Sequence, residues 1–388
     1  MVGCGHVGLP LAAAFNKAGL KVLGVEKDRK ICDRVMYGVS PIREPGLDEA
    51  MRGITMHTHF GPQDSADAYV LCVSGAADLE RATHQVAGQA DDGSLVIVRS
   101  TVAVGTTREL VEPILRAAGS YDLAYCPERT VEGDALRELN SLPQIVGADN
   151  PSSIHTVGAG ERAVELFRAL TTEFHECGIE EAEMAKLLAN AWRATTFAFA
   201  NEVATLCDLR GVSAQNAINA ANHYYPRSAI PRPGPVGGPC LTKDTALILE
   251  GKNHVFSVIR AANTVNHPAN FADAISREMS RRGFEEHAKV AVLGTAFKGM
   301  PDTSDTRNSP GLEIAKLLGH WHDVRTVDPV ACADFESING HTYDVIVVTT
   351  DRYWDGPALA KCLRPNGFIY DCCWAMPTNM PNVIRWGG

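Results

Sequence analysis

At its third residue the chain enters Gly3-Cys4-Gly5-His6-Val7-Gly8, a G-x-G-x-x-G pattern, and no other segment restricts the possible folds so strongly. The first glycine permits a tight turn, the second lets backbone approach a pyrophosphate, and the third lets a helix pack on a strand. The surrounding residues supply the context this pattern needs. Leu9 to Leu20 reads as a helix ending near Gly19, and Lys21 to Glu26 as a strand with an acid at its end. Glu26 lies 18 residues past Gly8 (26 − 8). That is close to the spacing of about 20 at which an acid meets a ribose 2′-hydroxyl. The phosphates are then expected at the helix N-terminus, against Gly3, Gly5, His6, Val7 and Gly8. An acid at this place favours NAD over NADP, because it repels a 2′-phosphate. Only Met1 and Val2 precede Gly3, so the first strand is expected to be a stub. Weak NAD binding and a less stable domain follow from that expectation, unless the natural chain starts further upstream.

Length and composition bound the rest. At 388 residues the chain exceeds one ordinary core, and two or three domains are expected. The net charge of −10 argues against nucleic acid or an anionic membrane as partner, though a local basic pocket can still hold an anion. No signal peptide is read, and the most apolar stretch, Leu187 to Leu206, is interrupted by Arg193 and Glu202. Eleven scattered cysteines without a C-x-x-C pair indicate neither a disulfide framework nor zinc, and a reducing cytoplasm is expected. His57/His59 and His320/His322 read as surface histidines, so no metal is expected.

Further strands are expected at Ala68–Val73, Leu95–Val98 and near Ala124, with Ile145–Gly147 closing the first domain. From Glu181 to Leu209 apolar residues recur near helical spacing. A second helical segment is read from Val255 to about Arg282. Between them the Pro- and Gly-rich loop Pro226–Pro239 leads to Cys240. Lys243 and Asp244 follow the cysteine by three and four places, so a thiol has a cation and a carboxylate within one helical turn. The cation favours thiolate and the carboxylate can hold a water or steer a proton. The strand–helix rhythm then returns: strands at Lys289–Gly294, Val324–Val327, Tyr343–Thr349 and Phe368–Tyr370, and a helix from Ser309 or Pro310 to Leu318. The loop Thr295–Ser309 carries Lys298, Asp302, Asp305 and Arg307, and reads equally as an anion site or a solvated charged loop. The expected fold is α/β in three parts: a Rossmann-type NAD domain at 1–178, a mostly helical domain with the long helix at 179–286, and a second α/β, Rossmann-like domain at 287–388.

The fingerprint, the long helix, G-G-x-C-x-x-K-D at Gly237–Asp244 and F-K-x-x-x-D-x-S-D-x-R-x-S-P at Phe297–Pro310 together resemble the nucleotide-sugar 6-dehydrogenases. That family includes UDP-glucose, UDP-N-acetylmannosamine and UDP-N-acetylglucosamine dehydrogenases, and the resemblance covers nearly the whole chain. It implies a site by position. Ser100 and Thr101 match the family's S-T-V beside the cofactor and reacting centre. Glu128, in Pro127-Glu128-Arg129, matches a glutamate that handles the hydrolytic water, with Arg129 on the substrate. Lys186 and Asn190 match oxyanion stabilisers that also contact substrate. Cys240 matches the nucleophile and Asp244 its partner carboxylate. Arg227, Gly234 and Gly237 match the substrate loop, and Lys298 and Arg307 the nucleotide half.

The resemblance also implies the chemistry: two successive oxidations of a primary alcohol by NAD, with a cysteine thioester between them, and a homodimer through the long helix. The segments around Cys126–Arg129 and Tyr225–Gly238 look more like the UDP-N-acetylhexosamine branch than UDP-glucose 6-dehydrogenase. A one-step hydroxyacid-type dehydrogenase and a non-catalytic NAD-binding protein are the alternatives. Three positions depart from the family pattern: Val73-Ser74-Gly75-Ala76 stands for V-P-T-P, Val104 for a proline, and Arg352 for a histidine.

Overall fold

A computed structural model describes residues 1–149, 158–249, 257–331, 338, 340–377 and 380–387. They fall into two compact units, 1–188 and 189–388. The first unit holds strands β1 (Leu23–Val25), β2 (Thr55–His57), β3 (Ala68–Leu71), β4 (Leu95–Val98), β5 (Asp122–Tyr125), β6 (Gln144–Gly147) and β7 (Phe174–Cys177). β1 pairs with β2, and β3 to β7 follow one another in a second ribbon. Val2 joins the two, forming parallel bridges to Val25 on one side and Leu71 on the other. Val2 therefore lies centrally in the sheet. With it included, the order is that of a dinucleotide-binding sheet, third, second, first, fourth, fifth, sixth. Pairing is parallel except for one antiparallel contact, Tyr125 with Gly147, between β5 and β6.

The sequence explains the burial. β4 is Leu-Val-Ile-Val and all four side chains are buried, as expected of a parallel strand covered on both faces. The helix Gly8–Lys17 buries its first eight residues, and Gly19, with φ +91°, turns the chain back toward β1. Ile145–Gly147 does not close the sheet. β7, Phe-His-Glu-Cys, adds a strand beyond it, and its two exposed polar side chains hid it from an apolar-run reading. The helix Ile179–Arg210 then runs for 32 residues, about 48 Å at 1.5 Å per residue.

The second unit carries the rest of that helix, helices Ala214–Asn222, Gly238–Leu249, Ser257–Val265 and Pro268–Arg281, and a five-stranded parallel sheet. Val255, read as the start of the second helical segment, lies outside the described residues. The sheet comprises β8 (Lys289–Leu293), β9 (Asp323–Val327), β10 (Tyr343–Val348), β11 (Leu363–Asp371) and β12 (Val383–Arg385), ordered β12-β11-β10-β8-β9. Chain direction across the sheet reverses between β8 and β10. That crevice, at the carboxyl ends of the strands, is where open α/β sheets bind ligands. Ser309 caps the helix Pro310–Leu318 by accepting from the Leu312 N–H, and Pro310 occupies its first position. Among the described residues, no helix is long and apolar enough to cross a membrane.

Candidate active site

The fingerprint glycines behave differently from one another. Gly3 has φ +85°, and a Cβ there would lie 2.5 Å from the Cys72 carbonyl oxygen. A Cβ on Gly8 would fall 1.9 Å from the Gly3 oxygen, so helix packing excludes any side chain. A Cβ on Gly5 would meet nothing within 4 Å. Protein packing does not demand the second glycine, which suits a backbone kept bare for a pyrophosphate. Glu26 stands at the tip of β1, where Oε2 accepts from the Cys4 N–H at 2.9 Å and Oε1 from the Asp28 N–H at 3.0 Å. The acid is thereby fixed beside the glycine turn. These residues fit an NAD adenosine and pyrophosphate.

In the same unit, Ser100 Oγ accepts from the Val73 N–H at 2.9 Å and donates to the Leu71 carbonyl at 3.2 Å. It anchors the departing segment Val73–Ala76, in which Gly75, at φ +84°, precedes the helix Ala76–Ala87. Thr101 is half-buried and Val104 exposed. Glu183, fully buried on the long helix, accepts from the Gly105 and Thr107 N–H groups at 2.6 and 2.9 Å. It fixes the end of the Ser100–Gly105 loop. Burial pushes its carboxyl up, against the pull of those N–H groups.

Glu128 is buried and is not a helix-start residue. Its Oε2 accepts from Arg99 Nε and Nη2 at 3.1 and 2.7 Å, and Oε1 from the Thr130 N–H at 2.7 Å. Burial pushes the Glu128 carboxyl up, but the Arg99 guanidinium and the Thr130 N–H outweigh it and hold it below the usual carboxylate range. Arg99 also donates to the Cys126 carbonyl and to Gln144 Oε1, both at 3.1 Å, and lies over the Phe167 ring. Arg129 is exposed and donates to the Pro143 carbonyl. Lys186 is buried one turn before Asn190 on the long helix, so the two face the same side.

In the second unit, Cys240 sits in the first turn of the helix Gly238–Leu249 and is the one exposed cysteine among the described residues. Burial pushes the thiols of Cys4, Cys72 and Cys126 up to about 12, which leaves them unreactive at neutral pH. Asp244, one turn on, is buried, and its Oδ2 accepts from Asn190 Nδ2 at 2.6 Å. Its Oδ1 is buried with Lys243 Nζ at 3.7 Å. The Gly-Gly of the motif has a steric cause. A Cβ on Gly237 would lie 2.5 Å from both the Asn308 oxygen and Pro310 Cδ. Gly238 has φ +88°, with the Phe297 ring 2.5 Å from its Cβ direction. Asn308 holds the segment twice, accepting the Gly238 N–H at 3.0 Å and donating from Nδ2 to Thr242 Oγ1 at 3.1 Å.

The remaining residues line the loops around this helix. Gly234 is enclosed, with Cys373 Cβ 3.3 Å from its own Cβ direction. Arg227 donates from Nε to the Tyr225 hydroxyl at 2.9 Å and stacks on its ring. Arg307 Nε donates to both oxygens of Asp305 at 2.9 Å, and Lys298 Nζ lies 5.6 Å from the Phe297 ring centre. Arg352, standing where the family has histidine, is buried with Asp328 at 3.3 Å and Asp302 at 3.4 Å. Sequence reading missed Arg99, Glu183 and Asn308. Each had a faint signal: a charge ending the apolar strand β4, an acid three places before Lys186, and the variable position of R-x-S-P.

Residues 1–171 match the model of the UDP-glucose/GDP-mannose dehydrogenase family, NAD binding domain, and residues 180–268 that of its central domain. A UDP-N-acetyl-D-mannosamine dehydrogenase of Methanococcus maripaludis is 33% identical over 380 residues, covering 91% of this chain and 85% of that protein. The solved UDP-D-ManNAc dehydrogenase of Pyrococcus horikoshii superposes with a TM-score of 0.90 at 29% identity, over 100% of this chain and 98% of that one. The UDP-N-acetyl-mannosamine dehydrogenase Cap5O of Staphylococcus aureus gives 0.85 at 25% identity, over 99% and 96%.

Proposed function

The chain belongs to the UDP-glucose/GDP-mannose dehydrogenase family, and from that premise we propose that it oxidises the C6 alcohol of a UDP-N-acetylhexosamine to the uronic acid. The relatives named for UDP-N-acetyl-D-mannosamine support the acetylated sugar over UDP-glucose. The observation that carries the chemistry is the buried Asn190–Asp244 hydrogen bond, 2.6 Å long, one helical turn from the exposed Cys240. A one-step dehydrogenase needs neither a thiol nor a carboxylate kept beside it.

Bound NAD supplies the hydride acceptor for both oxidations. Gly3, Gly5 and Gly8 leave room for its pyrophosphate, and Glu26 takes its ribose hydroxyls. Once the alcohol has become an aldehyde, Cys240 Sγ attacks the carbonyl carbon as thiolate. The carbon–sulfur bond forms and the oxygen becomes an oxyanion, which Lys186 and Asn190 stabilise. One such donor is typically worth about 10²–10³ in rate. Loss of hydride from the same carbon leaves a thioester. Water held by Asp244 adds to it, the carbon–sulfur bond breaks, and the thiolate is restored. Glu128, kept ionised by Arg99, orients that water through an accepted hydrogen bond and is a poor proton acceptor. Overall, one alcohol, two NAD and one water give one carboxylate, two NADH and three protons. Arg227, Lys298 and Arg307 are assigned to the substrate, Arg307 after exchanging Asp305 for a phosphate oxygen.

The same reading divides the chain into the three parts expected at 1–178, 179–286 and 287–388, and pairs two copies through the long helix. The test is a panel of UDP-sugars with NADH readout. Two NADH per UDP-N-acetylhexosamine are expected, with the rate of acid formation falling by roughly several orders of magnitude in Cys240→Ser and NAD affinity kept. One NADH per sugar, or a Cys240→Ser variant at near-normal rate, defeats the covalent mechanism.

A further inference from the structure

The segment that presents Cys240 is held at Gly238 and Thr242 by Asn308, and at Asp244 by Asn190. It is held a third time, upstream, by a residue that no step of the reaction uses. Asn201 lies eleven residues after Asn190 on the long helix, three turns along and on the same face. Its side-chain amide pairs with the backbone of Gly234 in both directions. The Gly234 N–H donates to Oδ1 at 2.8 Å, and Nδ2 donates to the Gly234 carbonyl at 3.1 Å. Nδ2 also donates to Asn266 Oδ1 at 3.0 Å, and Asn266 Nδ2 donates to the Ala194 carbonyl at 2.8 Å. Asn201 and Asn266 are only 2% and 7% exposed, so water does not compete for these bonds.

The chain of bonds has a direction. The Ala194 carbonyl, within the helix, fixes which end of the Asn266 amide faces Asn201. Asn266 Oδ1 in turn accepts only from the NH₂ end of Asn201. A flipped Asn201 would set two donors against each other at the Gly234 N–H and two acceptors at its carbonyl. The pair Asn201–Asn266 therefore allows Gly234 one placement. Five residues separate Gly234 from Cys240, and they include the turn Gly237-Gly238. We propose that Asn201, oriented by Asn266, is a positioning residue for Cys240. The long helix sets the cysteine segment from both ends, through Asn201 on Gly234 and Asn190 on Asp244. This inference rests on the catalytic reading of Cys240, because a misplacement of about 1 Å matters only to a group that must meet a reacting carbon, where it can cost about 10²-fold.

The test uses the full chain with NAD and a UDP-N-acetylhexosamine. In Asn201→Ala, kcat for the acid is expected to fall about 10- to 100-fold. KM for NAD is expected to stay within about two-fold. Aldehyde is expected to escape, so that NADH per sugar drops below two and hydrazine traps the difference. The rate at which iodoacetamide alkylates Cys240, followed by peptide mass spectrometry, is expected to change about five-fold, following the altered setting of the thiol. Asn201→Asp keeps the volume and the Oδ1 acceptor but donates to the Gly234 carbonyl only when protonated. Its kcat relative to the unmodified enzyme is expected to rise as pH falls. Folded Asn201→Ala with kcat and alkylation rate both unchanged overturns the proposal, as does a flat pH ratio for Asn201→Asp. Hydrogen exchange on the unmodified protein provides an arm that needs no variant. Gly234 is expected to exchange far more slowly than the loop amides of Arg227, Ala229 and Arg232, and equal exchange would show that the clamp is absent. If the unmodified enzyme yields only one NADH per sugar, the catalytic reading fails, while the alkylation and exchange arms still report on the clamp.

Discussion

At the scale of single residues, the acid and its arginine carry the sharpest stability consequence. Glu128 and Arg99 form a buried ion pair with a 2.7 Å contact, and neither side chain is more than 9% exposed. Removing one partner of such a pair strands the other charge, at a cost of about 3–5 kcal/mol. Arg99→Leu is expected to lose about that much at pH 7, read from urea unfolding. The sign of the pH dependence follows from the lowered Glu128 carboxyl. Its stabilisation is present above the ordinary glutamate value of about 4.3 and is lost as pH falls through the depressed folded value. In Arg99→Leu burial opposes only the Thr130 N–H at Glu128 and favours the protonated form, so acid relieves the variant while it weakens the parent. The gap between the two is expected to narrow from pH 7 toward pH 4. A gap that stays constant would mean that the pair contributes nothing through its charge.

At the scale of elements, the sequence was most readable where one physical rule acted alone. β4 and the helix from Ser309 stand where apolar runs and capping chemistry put them. The long helix was legible for the same reason, its spacing outlasting several polar interruptions. β7 was not, because two exposed polar residues in four leave no apolar run. The loops around Cys240 were legible only as a motif. That Gly237 must be glycine depends on Asn308 and Pro310, some seventy residues later, and no local pattern carries such a contact. The same holds for Glu183 on the Gly105 and Thr107 amides, and for Glu128, whose ionisation is decided by an arginine in another strand-end loop. Gly237→Ala tests this directly. Its methyl would overlap the Asn308 oxygen and Pro310 Cδ at 2.5 Å, and neither atom ends a flexible side chain. Overpacking of this kind costs about 1–3 kcal/mol. The variant is expected to fold with a lower melting temperature, to lose turnover at least as steeply as Asn201→Ala, and to keep its NAD affinity, since the fingerprint lies in the other unit. Wild-type turnover in Gly237→Ala would show that the turn yields without moving Cys240.

At the scale of the whole molecule, one mainly parallel and one fully parallel sheet offer ligand crevices at their points of reversal, one at the glycine turn and one between β8 and β10. A family member that binds both a dinucleotide and a nucleotide sugar needs both. What one chain leaves unfinished is the outer face of the long helix. Trp192, Phe199 and Leu206 are 69%, 52% and 55% exposed and recur every seven residues, with Leu188 and Leu209 extending the same stripe. Single exposed apolar residues are ordinary, whereas a continuous stripe of large ones marks a surface that is covered in use. A fully buried aromatic removes about 150–250 Å² from water, and roughly one-half to two-thirds of that remains to be covered on Trp192 and Phe199. A second copy of the same helix is a suitable cover, because a two-fold axis sets one stripe against itself and each aromatic finds an apolar partner. The unmodified protein is accordingly expected to run as a dimer in size-exclusion chromatography with light scattering. Trp192→Asp combined with Phe199→Asp is expected to give monomers of unchanged helical content, since both side chains point away from the described core. A monomeric parent, or a double variant that remains dimeric, would remove the stripe from the interface and leave its exposure without a partner to explain it.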